Sequence, residues 1–261
     1  MNDSILFEQQ GSIATLTFNR PQVFNAMNDE MIRAFRDITV PLLESTTIRA
    51  LIVKGAGKAF LAGGDVGVFY QRRETLGDEV IPLGNMLHEG IIAIRNMPFP
   101  VIAQIHGACA GAGLSLAMAC DFAIAGESAS FNSAYAKIGL SPDGGSTFFL
   151  PRVVGMKKAL EMILLTDSIP AQQAAELGMV NRVVADAALE GEVNALAIRL
   201  SNGATQAFAR AKRLITQSFN TPIKEHLDRE IAYFAECAKT DDFKEGVTAF
   251  VEKRKPNFSG K

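Results

Sequence analysis

The sequence predicts an α/β core followed by a largely helical C-terminal region, and three patterns carry that prediction. Short apolar runs of strand length, at residues 50–53 and 101–105, each lead into a glycine-rich loop. Between residues 101 and 125 the order is strand, glycine loop, small-residue helix, strand, the alternation of a layer built on parallel strands. From residue 204 to 251 apolar side chains recur at helical spacing: Ala207, Ala211, Leu214 and Ile215, then Leu227, Ile231 and Phe234, then Phe243, Val247 and Phe250.

Taken in order, Ile5 and Phe7, then Ile13, Thr15, Leu16 and Phe18, flank Gln10-Gly11 and predict two strands joined by a turn. Asn28 is the expected N-cap of a helix carrying Met31, Ile32, Phe35 and Ile38 on one face, with Pro41 within or near its end. The run 50–53, bounded by Gly55, predicts a fully buried strand, and the loop Ala62-Gly63-Gly64-Asp65-Val66-Gly67 follows. Residues 78–97 predict a helix despite Gly84 and Gly90, closed by Pro98 and Pro100. After the strand at 101–105 come a second glycine loop at 107–113, a helix at 114–119 and a strand at 122–125. Helices are expected at 170–177 and 186–200, with a short strand within 179–184. The predicted division is a core over residues 1–200 and a helical region over 201–261.

Composition excludes several classes of function. Lys+Arg 26 against Asp+Glu 28, with pI near 6.0, leaves no basic excess for a nucleic-acid partner. Cys109, Cys120 and Cys237 are too scattered for a disulfide framework, and His88, His106 and His226 form no ligand pair at helical spacing, so no metal is expected. No stretch approaches the roughly 20 uninterrupted apolar residues of a membrane span. Neither a basic-then-apolar leader beside Asp3 and Glu8 nor a peroxisomal ending at Ser259-Gly260-Lys261 is present, so a cytoplasmic protein is expected.

The glycine loops admit two readings. Backbone N–H groups freed at such turns can converge on one oxygen, and a helix N-terminus adds positive partial charge; two donors from separate loops would form an oxyanion hole. The same glycines also serve tight turns and close helix packing alone. Neither loop has the spacing of a dinucleotide fingerprint or a P-loop.

Longer blocks resolve the ambiguity by likeness. Phe18-Asn19-Arg20-Pro21-Gln22-Val23-Phe24-Asn25-Ala26-Met27-Asn28 and Lys58-Ala59-Phe60-Leu61-Ala62-Gly63-Gly64-Asp65 resemble the opening blocks of the enoyl-CoA hydratase/isomerase (crotonase) family. The run from His106-Gly107-Ala108 through Ala119-Cys120-Asp121 resembles its central signature, and Gly139-Leu140-Ser141-Pro142-Asp143-Gly144-Gly145-Ser146 through Leu150-Pro151-Arg152-Val153-Val154-Gly155 continues it. The resemblance implies a crotonase-like ββα spiral core with a helical C-terminal region that mediates trimer contacts, in a homotrimer or dimer of trimers. It implies an acyl-CoA thioester as substrate, with coenzyme A part of that substrate and no separate cofactor. It places oxyanion donors on the backbone N–H groups of Gly64 and Ala112, and ligand contacts at Leu61, Ala62, Asp65, Gly111 and Tyr135. Alanine at 112 keeps its N–H provided the local backbone suits a Cβ.

Where the family's hydratases carry two glutamates, this chain has Ser115 and Tyr135. Water addition needs groups that activate water and deliver a proton, and a serine and a phenol are poor general bases unless strongly perturbed. Asp143 remains, and the run around it resembles the epoxyphenylacetyl-CoA isomerase branch. One carboxylate suffices to move a proton between two carbons, so an enoyl-CoA double-bond (Δ3/Δ2-type) or related isomerase with Asp143 as proton shuttle is the leading expectation. Enclosure among Phe131, Phe148 and Phe149 would make Asp143 a better base; the alternative is an Asp that caps a turn or helix start beside Gly144-Gly145. A hydratase variant lacking the two glutamates and a non-catalytic acyl-CoA-binding relative are the competing functions. Tyr135 is expected to bond the acyl group, line its pocket or pack in the core, and Ser115 to be only a small residue that fits a helix start. Asp121 and His106 are read as structural, and Met86, Leu87 and Ile91 as acyl-pocket or packing residues.

Overall fold

The computed structural model describes residues 4–261. Strands β1 (Ile5–Gln10) and β2 (Ile13–Phe18) form the predicted antiparallel pair. Asn28 caps α1 (Asp29–Thr39) as expected, its side chain accepting the Met31 N–H at 3.0 Å. The chain returns as β3 (Ala50–Gly55) and continues through α2 (Val66–Gln71), α3 (Leu76–Asn96), β4 (Val101–Ile105), β5 (Ala108–Ala110), α4 (Ala112–Ala119), β6 (Phe122–Gly126) and β7 (Ser130–Asn132). Then follow α5 (Ser146–Val154), α6 (Met156–Leu165), β8 (Ile169–Pro170), α7 (Ala171–Glu176), β9 (Arg182–Val184) and α8 (Leu189–Ser201). Three helices, α9 (Thr205–Gln217), α10 (Ile223–Cys237) and α11 (Asp241–Val251), complete the C-terminal region.

The main sheet runs β1-β2-β3-β4-β6-β9, and every pair beyond β1-β2 is parallel. Its central strands are apolar on both faces because both faces are covered. Ala50, Ile52, Ile102 and Ile124 pack against Leu189, Val193 and Ala197 of α8. Leu51, Val53, Val101, Ala103 and Ala125 point the other way, into a core shared with Phe35, Ile94 and Leu116 from α1, α3 and α4.

A second sheet, β5-β7-β8, was not foreseen. Its strands have three, three and two residues, too few for a period-two pattern to show. Helix α5 also escaped the sequence reading: it contains Pro151, and its apolar residues divide between buried Leu150 and exposed Phe148. Among the described residues no helix is long and apolar enough to cross a membrane.

Two polar anchors tie the C-terminal helices to the core. Lys212 of α9 donates to Asp121 at 2.7 Å and reaches the carbonyl oxygens of Ile94 and Phe99. Asp121, read from sequence as structural, also accepts the Val101 N–H at 2.8 Å. Burial pushes the Asp121 carboxyl up and the Lys212 ammonium down, and each partner opposes the other's shift. At the far end Asp242, on the first turn of α11, accepts backbone N–H groups from Ser259 and Gly260, while Arg49 donates to the carbonyl oxygens of Phe258 and Gly203.

Lys212→Met would take the hydrogen-bonded cation from the buried Asp121 carboxylate, leaving it only the Arg95 charge, which makes no ion pair with it. A loss of roughly 3–5 kcal/mol is expected in urea unfolding of the variant; a loss below about 1 kcal/mol would mean that the pair is effectively solvated.

Candidate active site

The segment Phe60 to Asp65 is threaded between two backbone neighbours. On one side Leu61 N–H donates to Ala108 O and Leu61 O accepts from Ala110 N–H, so this stretch runs alongside β5. On the other side Met27 N–H donates to Gly63 O and Asp65 N–H to Met27 O. In such a parallel bridge the N–H of the intervening residue faces away from the partner strand, which turns the Gly64 amide away from Met27.

The two glycine loops touch directly. A Cβ on Gly63 would lie 3.3 Å from Gly111 Cα and 3.5 Å from Ala112 N, and Gly63 and Gly111 both hold positive φ, at 99° and 53°. Backbone meets backbone here because neither residue has a side chain to interpose. Ala112 follows as the first residue of α4, where a helix leaves its N–H unpaired and positively polarised. Neither the Gly64 nor the Ala112 amide donates to an acceptor within the described residues. Ala112 is absent from the positions with positive φ, so its Cβ is accommodated without strain.

The residues around these amides differ in how they are occupied. Leu61 is fully buried and both its backbone polar groups are paired, while Ala62 is half-buried and donates to Phe24 O. Gly111 N–H donates to Asn132 O. Asp65, read from sequence as ligand-facing, spends its carboxylate on the chain itself. One oxygen accepts the Gly67 and Val68 N–H groups as the N-cap of α2, and the other pairs with Arg20 at 3.0 Å. His106 bonds Gly57 O, in keeping with a structural residue.

Asp143 lies on the loop before α5 and is held from two directions. The Tyr135 hydroxyl donates to its Oδ1 at 2.6 Å, and His88 Nε2 on α3 bonds its carbonyl oxygen at 2.8 Å. The capping alternative is not what this loop does: Gly145 occupies the N-cap of α5, and no side chain caps that helix. Nor is Asp143 enclosed by aromatic rings, because Phe131 is buried in the core and the carboxylate is exposed at the mouth of a cavity. That cavity, about 670 Å³, is walled by Ile91, Phe148, Phe149 and the Asp143 loop, and by residues from the end of α9 to α10. Ile91 thus lines the cavity as well as packing, whereas Leu87 only packs.

Sequence reasoning left Tyr135 with three roles and Ser115 with none, and the structure joins them. The Ser115 hydroxyl and the Gly144 N–H also face the phenol oxygen, so the two positions that differ from the two-glutamate pattern adjoin each other, and Tyr135 is the one that bonds Asp143. A Cβ on Gly144 would lie 2.9 Å from that of Ser115, which locks the loop against α4. His88 was missed altogether, and no signal in the sequence links it to a residue 55 positions away.

Fold and loops thus define an α/β protein with two unpaired amides on adjoining loops and, on the loop before α5, a carboxylate tethered by Tyr135 at the mouth of a cavity. The model of the enoyl-CoA hydratase/isomerase family matches residues 8–261. The chain is 36% identical to 1,2-epoxyphenylacetyl-CoA isomerase of Escherichia coli over 100% of both chains, and 34% identical to crotonyl-CoA hydratase of Syntrophomonas wolfei over 99% of both. It superposes on the crystal structure of an enoyl-CoA hydratase from Polaromonas sp. JS666 with a TM-score of 0.92, at 33% identity, covering 97% of this chain and 99% of that one. The chain belongs to the enoyl-CoA hydratase/isomerase family, as the motif blocks implied.

Burial and the neighbouring Asp143 carboxylate push the Tyr135 phenol well above the ordinary tyrosine range. Its contribution to stability is complete below about pH 10 and is lost as pH rises through the raised value, because the unfolded chain releases the proton first. An alkaline absorbance titration is expected to show one phenol ionising late, and Tyr135→Phe to remove that step. An unchanged late step would mean that the phenol is not shielded.

Proposed function

We propose that this protein is an enoyl-CoA isomerase that shifts a double bond along the acyl chain, with Asp143 as the proton shuttle and the N–H groups of Gly64 and Ala112 as the oxyanion hole. One observation carries the reading. Asp143 is the only carboxylate on the wall of its cavity among the described residues, and of the two positions where hydratases place glutamates, Tyr135 bonds it while Ser115 faces the Tyr135 hydroxyl.

In the proposed cycle the Asp143 carboxylate removes a proton from the carbon next to the thioester of a 3-enoyl-CoA. The electron pair moves onto the thioester oxygen, the C3–C4 double bond becoming conjugated, and the two amides hold the resulting charge. The protonated Asp143 then returns its proton to the carbon two bonds further on, leaving a 2-enoyl-CoA. Every atom is conserved, and no water or separate cofactor enters; coenzyme A is part of the substrate. Tyr135 orients the carboxylate through its hydroxyl, and Leu61, Ala62, Asp65 and Gly111 form the backbone frame beside the thioester.

A homotrimer or dimer of trimers is proposed on the same basis of family, supported by apolar side chains on and beside the C-terminal helices. Phe219, Ile223, Ile231 and Phe234 are exposed in the single chain, and Phe250 is 85% exposed. A hydratase reading draws on relatives such as the crotonyl-CoA hydratase, and a purely binding role is the third possibility.

Asp143→Asn retains shape and removes the base, so turnover of a 3-enoyl-CoA is expected to fall by a factor on the order of 10² or more. Supplying crotonyl-CoA and a 3-enoyl-CoA separately distinguishes the functions. Hydration of the first without isomerisation of the second would establish a hydratase, and tight binding of both without turnover a binding protein.

A further inference from the structure

The cavity beside Asp143 has a second polar end. Arg95 lies on α3 seven residues after His88, hence on the same helix face and about 10 Å further along the axis. His88 marks the Asp143 end by its bond to that residue's carbonyl, and Arg95 lines the same cavity with its guanidinium 5.7 Å from the centre of the Phe149 ring. Ile91, Ile92, Phe148 and Phe149 give this cavity an apolar side, while the lining from the end of α9 to α10 is polar and includes Gln217 and Arg229, the latter already bonded to Gln217 and Glu225.

Arg95 is unsatisfied. Its Nε is sealed from solvent without a hydrogen-bond partner, and it makes no ion pair with a described residue. Asp121 feels the Arg95 charge but already holds Lys212 at 2.7 Å, so two cations share one anion there. A buried donor without an acceptor weakens the fold, and such a group makes physical sense where a ligand supplies the acceptor.

We propose that this cavity receives the acyl chain and that Arg95 binds a carboxylate at the chain's far end, so that the substrate class is an ω-carboxyacyl-CoA of medium length. The inference rests on the reading of Asp143 as the group facing the thioester. The apolar stretch suits the methylenes, and the guanidinium offers paired N–H donors to a carboxylate. The negative Asp143 end disfavours a chain bound in the reverse sense.

Calorimetric titration with saturated, unreactive thioesters tests this on the whole protein. Each alkanoyl-CoA is paired with the ω-carboxyalkanoyl-CoA of equal chain length, and free coenzyme A serves as reference. At a preferred length the ω-carboxy thioester is expected to bind about tenfold more tightly than its alkyl partner, the size of one charge-assisted contact. Arg95→Met should erase that preference and leave the affinity for coenzyme A intact. The proposal is overturned if the wild-type protein shows no ω-carboxy preference at any length, a comparison that needs no variant. It is equally overturned if Arg95→Met weakens free coenzyme A as much as the thioesters, the guanidinium then serving the phosphates. A changed oligomer mass in the variant would likewise overturn it, by placing the acceptor in another copy. None of these ligands reacts, so failure here is distinct from failure of the Asp143→Asn assay.

Discussion

Everything at the centre of this molecule depends on two backbones being able to touch. Gly63 and Gly111 meet with no side chain between them, and a Cβ on either would lie within about 3.3 Å of the other's Cα. That contact seats the first loop against the N-terminus of α4 and brings the Gly64 and Ala112 amides onto adjoining edges. The bridges to Met27 and along β5 then hold the first loop on both sides, so the amides belong to a braced element. Preorganisation of this kind is what lets a backbone donor stabilise developing charge without reorganising at the moment of reaction.

The carboxylate is organised differently. Asp143 sits on an exposed loop without a regular element of its own, and its position comes from Tyr135, itself faced by Ser115, on one side and from His88 on the other. A phenol cannot replace a glutamate as a base at neutral pH, but it makes a good donor to one. In the proposed reading, a tyrosine that holds the Asp143 carboxylate, with a serine facing it, stands where glutamates of the family's hydratases would act on substrate. This division of labour gives the proposed isomerase reading its internal consistency.

Much of the fold was legible because the central strands obey a strong rule. Strands buried on both faces are continuous apolar runs, and β3, β4 and β6 were found from that signal; the Asn28 cap was found from a capping residue placed before helix-spaced apolar positions. The short strands β5, β7 and β8 were illegible because two or three residues cannot display a period, and α5 was hidden by Pro151 and by a helix that faces both core and solvent. At the site, the glycine loops and Asp143 were readable as candidates. Their partners were not: Tyr135 had no reason in sequence to choose Asp143 over the core, and His88 reaches Asp143 only through the packing of α3. The expectation of an enclosed Asp143 was met only in part: Phe148 and Phe149 wall the cavity it borders, but Phe131 is buried in the core and Asp143 stays exposed.

The last residues of the chain show how a segment without regular structure can govern one that has it. Asp242 is buried and takes its hydrogen bonds from Ser259 and Gly260, while Arg49 grips Phe258 from the core side. Loss of the segment from Phe258 onward would strip those donors and strand a carboxylate inside the first turn of α11. The damage would surface as fraying of a helix whose own residues are all intact, and as loosening of the core at Arg49, far from the cut in sequence but adjacent in space.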